Sequence, residues 1–189
     1  MPAKKSPQPP SAVYQLKITL NGVRPPIWRR VLVADTTTLG KLHAVIQALM
    51  GWEDEHLHQF DIGGDRYGEA TVEGYRRVRD EHKFKLSEVL PAAGAKFTYL
   101  YDFSVNWEFA VVVEEITPPA AEGVLPLCIK GKRAAPPEHI GGTWGYGALL
   151  EARANPRHPE RTRFAELIAA YDPEAFDPEA VNARLRKFK

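Results

Sequence analysis

In the stretch YQLKITLNGVRPPIWRRVLV (residues 14–33), Tyr14, Leu16, Ile18 and Leu20 alternate with Gln15, Lys17 and Thr19. That two-residue period belongs to a strand with one buried and one wetted face. Asn21-Gly22 and Pro25-Pro26 are turn punctuation, and the apolar, β-branched run IWRRVLV (residues 27–33) supplies a second strand. The stretch therefore predicts an N-terminal β-hairpin.

The pattern then changes period. In TTTLGKLHAVIQALMGW (residues 36–52), Leu39, Leu42, Ile46, Leu49 and Met50 fall on one helical face, with threonines available as N-cap and Gly51 beyond the last turn. A further strand is expected from His56 to Ile62, ended by Gly63-Gly64 and followed by a charged loop. LSEVLP (residues 86–91) allows one helical turn before its proline stops it. KFTYLYDF (residues 96–103) and WEFAVVVEE (residues 107–115) predict a second hairpin, with Phe97, Tyr99, Tyr101 and Phe103 on one face. LPLCIK (residues 125–130) supplies a short strand within a proline-rich wrapping loop. Helices are predicted from WGYGALLEARA (residues 144–154), PERTRFAELIAAY (residues 159–171) and DPEAVNARLRKF (residues 177–188), the last with Asp177 as N-cap and Pro178 at its first position.

Strands come first and helices last, without regular alternation. This order predicts an α+β domain: a mixed, mainly antiparallel sheet with an N-terminal hairpin, one early helix, and C-terminal helices packed on it. A chain of 189 residues fits a single domain, expected over residues 13–189 after a disordered tail at 1–12. With 44% hydrophobic and 26% charged residues, the composition is that of a soluble globular protein. The net charge of +1 gives no whole-molecule attraction to nucleic acid or anionic membrane. No apolar run approaches the roughly 18 residues of a membrane span, and the first residues lack the apolar core of a signal peptide. One cysteine, Cys128, leaves no internal disulfide. The expectation is a cytoplasmic protein with no membrane partner.

Chemistry is most concentrated in HLHQFDIGGDRYGE (residues 56–69). On a strand, residues two apart point the same way, so His56 and His58 can face one divalent ion, joined by Asp65 if the Gly63-Gly64 turn folds back. The same face carries Phe60 and Ile62, which favours a structural or surface role for both histidines, a buried imidazole being satisfied by one backbone carbonyl. His43 sits on the apolar stripe of its helix and is expected to be a hydrogen-bonded core histidine. GGTWGYG (residues 141–147) has glycines able to cradle an anion, but no GK[ST] follows as a P-loop requires. Arg29, Arg30, Lys132 and Arg133 are the candidate nucleic acid contacts. Neither Ser87 nor Ser104 lies in a nucleophile elbow, and Cys128 carries no signature of activation.

Taken together, LKITLNGVRPPIWRRV, TLGKLHAVIQALMGWEDEHLHQFDIGGDRYGE, YDF with Trp107, PPEHIGGTWGYGALL and YDPEAFDPEAVNARL resemble the plasmid pRiA4b ORF-3-like family over almost the whole folded chain. The resemblance implies an association with plasmids and insertion elements, and defines no reaction. Some members carry a resolvase label, yet this chain shows no serine-recombinase core, no helix-turn-helix, and no tyrosine-recombinase constellation. Relative to the family pattern, Val105 replaces an aspartate, Phe109 a histidine and His139 an acidic residue, while Tyr101, Asp102 and Trp107 match.

The leading expectation is a non-catalytic binding module whose unidentified protein or small-ligand partner is held by Tyr101, Asp102, Trp107, Trp144 and Tyr146. No organic cofactor is expected. The alternatives are a divalent-metal hydrolase using His56, His58, Asp65 and Asp102, and a nucleic-acid-binding protein.

Overall fold

The computed structural model describes residues 10–69, 78–119 and 123–188. In chain order the strands are β1 (Val13–Leu20), β2 (Trp28–Ala34), β3 (His58–Ile62), β4 (Asp65–Gly68), β5 (Arg79–Asp80), β6 (Lys96–Tyr101), β7 (Trp107–Thr117) and β8 (Leu127–Lys132). The helices are α1 (Leu39–Met50), α2 (Leu86–Val89), α3 (Gly142–Ala154), α4 (Ala165–Ala170) and α5 (Pro178–Leu185). All eight strands join one sheet in the order β5-β4-β3-β6-β7-β1-β2-β8. Every pairing is antiparallel except that of β4 with β5. The chain therefore has the α+β architecture that the order of its elements predicts.

Alternation does the sorting. In the N-terminal hairpin Leu16, Ile18, Leu20, Val31 and Val33 are buried. In the central hairpin Phe97, Tyr99, Tyr101, Trp107, Phe109, Val111 and Val113 complete the same face. α1 lies against that face with Leu39, Leu42, Ile46 and Leu49 fully buried. Its ends follow the sequence: Thr38 accepts from the Lys41 amide at 3.2 Å, and Gly51 closes the helix in the left-handed region at φ 73°. α5 begins as predicted, with Asp177 capping the amides of Glu179 and Ala180 and Pro178 at the first position. It packs beside α1, where Arg184 Nε donates to the Ala48 carbonyl at 2.8 Å.

Several expectations need correction. β3 begins at His58, because the chain bends at residues 53–57 and leaves Leu57 half exposed. The charged loop contains two short strands, β4 and β5, and a 3₁₀ turn at Glu81–Lys83. Phe103 does not share the face of Tyr99 and Tyr101, since β6 ends at Tyr101 and Asp102 turns the chain with φ 55°. GGTWGYG runs from the cap residue Gly141 into the first turns of α3, which begins two residues before the predicted start at Trp144. Two of its glycines answer to packing: a Cβ on Gly145 would sit 1.8 Å from the Ile140 carbonyl oxygen, and one on Gly142 2.7 Å from that of Val105. The expected 159–171 helix is confined to Ala165–Ala170. Of the expected N-terminal tail, residues 1–9 lie outside the described residues, while Ser11 is tied to Asp35 through its hydroxyl at 2.5 Å.

Candidate functional site: a histidine and carboxylate cleft

His58 opens β3 opposite Tyr101 of β6, with its side chain turned to the core face. α1 crosses the same face and brings His43 against it. The two imidazoles stack, with ring centroids 3.4 Å apart and planes within 3° of parallel.

Each ring is held by its own carboxylate. His58 Nε2 and Glu81 Oε2 are 2.7 Å apart, and both side chains are almost fully buried. His43 Nε2 lies 2.6 Å from Asp54 Oδ1, and its Nδ1 lies 2.6 Å from the Tyr99 hydroxyl. With the Gln47 amide placed so that Nε2 donates to Tyr99 at 2.9 Å, the phenol proton is directed to His43 Nδ1, and His43 donates from Nε2 to Asp54. Burial, reinforced by the charge of His58, lowers the His43 pKa to about 3. His43 is thus a neutral imidazole at physiological pH. Burial also raises Asp54, against the opposing influence of His58, and holds Tyr99 well above the ordinary phenol range.

A second layer fixes the loop that carries Asp54. The Tyr101 hydroxyl donates to Glu138 and accepts from the amides of Glu55 (2.9 Å) and His56 (3.3 Å). The second Glu138 oxygen accepts from the Glu53 amide at 2.6 Å. Trp107 Nε1 donates to the Glu138 backbone carbonyl at 3.3 Å. One buried phenol and one buried carboxylate therefore satisfy three amides of the 53–56 loop, groups that would otherwise be orphaned.

Outside this layer His56 Nε2 faces Asp102 at 3.6 Å, and His139 Nε2 faces Glu55 at 3.5 Å. Burial pushes Asp102 upward, but hydrogen bonds from the Ser104 hydroxyl and amide outweigh it and leave the carboxyl below its usual range. The stacked pair and the loop enclose a cleft of about 470 Å³, whose lining includes His43, Asp54, His56, His58, Glu81 and His82.

The expected partnership of His56 and His58 does not form. His56 precedes β3, so strand alternation does not reach it; it joins Asp102, Glu55 and His139, while His58 joins His43 and Glu81. Asp65 lies at the exposed start of β4, with an oxygen 3.3 Å from Arg79, and belongs to neither group. The proposed set His56, His58, Asp65 and Asp102 is therefore not one coordination sphere.

The aromatic partner surface is also corrected. Tyr101, Trp107 and Tyr146 are at most 1% exposed and are core residues: Tyr101 and Trp107 lie on the buried face of the sheet, and Tyr146 on the buried side of α3. Asp102 is buried as well, whereas Trp144 is 91% exposed at the start of α3.

The basic residues fare no better as a phosphate surface. Arg29 is buried, donates to the carbonyls of Trp28 and Lys132, and lies 4.7 Å from the Phe176 ring centroid; burial lowers its pKa to about 10. Arg30 pairs with Glu114 through two nitrogens, and buried Arg133 donates to Glu174 and to the Pro25 carbonyl. Lys132 alone of the four is exposed. Asp54, Glu81 and Glu138 went unmarked in the sequence because carboxylates are ordinary surface residues there; the PPE phrase containing Glu138 was the only pointer.

A model of the plasmid pRiA4b ORF-3-like protein family matches residues 12–180. The chain belongs to that family. Among curated proteins, the pRiA4b ORF-3-like chain is 36% identical over 173 residues to "Uncharacterized protein y4hQ" of Sinorhizobium fredii, covering 91% of this chain and 87% of that one. Among solved structures, it is similar to the crystal structure of "Protein of Unknown Function MM3350" from Methanosarcina mazei Go1. The TM-score is 0.80 at 38% identity, over 90% of this chain and 98% of that chain.

Proposed function

We propose that this pRiA4b ORF-3-like protein is a non-catalytic binding module whose ligand is a small, hydrogen-bond-donating molecule held in the His43–His58 cleft. The observation that carries this reading is the cleft's lining, which opposes Asp54, Glu55, Glu69 and Glu81 to four imidazoles around about 470 Å³. Such a lining favours amines, guanidines and amino sugars over carboxylates and phosphates.

A binding role is supported over catalysis by the protonation of the floor. A general base works best with a pKa near ambient pH, and His43 is pulled to about 3. Glu81 is already hydrogen-bonded to His58. The association with mobile elements rests on the family resemblance. A cytoplasmic location is supported by the single buried, unbridged Cys128; among the described residues no helix is long and apolar enough to cross a membrane.

The experiment is thermal denaturation with agmatine, cadaverine and glucosamine against glutarate and gluconate. A rise in midpoint for the first group, abolished in Asp54→Asn, is expected. Equal shifts for both groups, or none, would remove this reading.

A further inference from the structure

At the mouth of the cleft, ligand atoms of Glu55, His56 and His139 all lie within 4.8 Å of one another. The trio His43, Asp54 and His58, with both imidazoles buried and Asp54 exposed, meets the same distance criterion, but its geometry is poor for one ion. Its rings are parallel and 3.4 Å apart, so an ion midway would sit up to about 1.7 Å off each ring plane. With metal–nitrogen bonds of about 2.1 Å, the lone pairs would be missed by roughly 50°. The outer pair differs. The rings of His56 and His139 have centroids 5.8 Å apart at 69° to each other, so in-plane lone pairs can converge.

We propose that Glu55, His56 and His139 hold a divalent transition-metal ion at the mouth of the cleft. Two imidazoles and one carboxylate suit zinc, cobalt or nickel, and suit calcium or magnesium poorly. Ligand atoms on one such ion stand about 3.0–3.5 Å apart. Closing from within 4.8 Å asks at most an ångström or so of each side chain, and Glu55 and His139 are more than half exposed and free to rotate.

The backbone needs no such movement. The loop bearing Glu55 and His56 is pinned through its amides to Tyr101 and Glu138, and His139 follows Glu138 directly. The same buried carboxylate thus sets both arms of the site, which lowers the ordering cost of binding. Asp102, 3.6 Å from His56 Nε2, stands where a carboxylate orients a ligating imidazole or joins as a fourth ligand. The solvent side of the cluster leaves positions open for water.

The site shares Glu55 and His56 with the lining of the cleft but does not require the proposed small-molecule ligand, and its test uses the metal alone. Cobalt(II) titration followed by visible absorption, with zinc competition by calorimetry, should give one site per chain that weakens in acid, because protons compete with the metal for its ligands. His139→Ala, His56→Ala and Glu55→Gln should each weaken binding at least about tenfold, with circular dichroism unchanged because these side chains carry none of the core. His58→Gln and Asp65→Asn should leave it unchanged. No saturable binding, or loss in His58→Gln with retention in His139→Ala, would overturn the proposal.

Discussion

The imidazoles of His43 and His58 lie face to face at 3.4 Å, yet each is tied through Nε2 to a different carboxylate, Asp54 and Glu81. Helix α1 and strand β3 thus meet through the stacked rings, while the polar pairs run outward from the stack to the loop at Asp54 and the 3₁₀ turn at Glu81. This arrangement has measurable consequences for stability.

His58 and Glu81 are mutually dependent. Their side chains are 5% and 2% exposed, so His58→Leu leaves a carboxylate in the interior without its partner. The expected loss is about 3–5 kcal/mol in urea denaturation. The His58→Leu/Glu81→Leu double variant should lose less than the sum of the two single changes. A cycle with no coupling would mean that the pair is not acting as a unit.

His43 makes stability depend on pH. Its pKa falls from 6.5 unfolded to about 3 folded, so between these values the unfolded chain binds a proton that the native chain refuses. The contribution is fully present above pH 6.5 and declines as pH falls toward 3, at up to about 1.4 kcal/mol per pH unit. His43→Gln should flatten that part of the stability profile. A wild-type profile unchanged between pH 7 and pH 4.5 would contradict the neutral, buried imidazole.

Tyr101 anchors a loop as well as filling the core. Tyr101→Phe keeps the ring but withdraws the acceptor of the Glu55 and His56 amides and the donor to Glu138. A destabilisation of about 1–3 kcal/mol is expected. Amide hydrogen exchange should accelerate at residues 55 and 56 more than in β6, and uniform protection would show that another contact holds the loop.

Two glycines of α3 should respond oppositely. Gly145→Ala places a methyl group 1.8 Å from the Ile140 carbonyl oxygen, a backbone atom that cannot step aside, whereas a Cβ on Gly147 meets nothing within 4 Å. Gly147→Ala should stabilise the chain by up to about 1 kcal/mol through helix propensity, seen as a higher thermal midpoint. Gly145→Ala should lower it sharply or abolish folding.

The strand periods around Leu16, Val31, Tyr99 and Val111, the α1 stripe and the Asp177-Pro178 cap were all legible in the sequence. Each is a local pattern in which alternation or helical spacing maps directly onto burial. His56 and His58 show where that legibility stops. Their spacing suggested one face, but the bend before β3 separates them into two clusters. The partners that define those clusters lie far along the chain: Glu81 is 23 residues from His58, and Glu138 is 37 from Tyr101. Likewise Arg29 and Arg133 read as surface cations until the packing of β2, β8 and the C-terminal segment buries them. The two hairpins, α1, α5 and the α+β class were therefore determined by the sequence alone, because backbone propensity and hydrophobic period act over a few residues, whereas the short strands β4 and β5 carry too few residues to show a period. Which histidine meets which carboxylate was decided only by the tertiary structure, because that depends on where chain bends bring distant segments together.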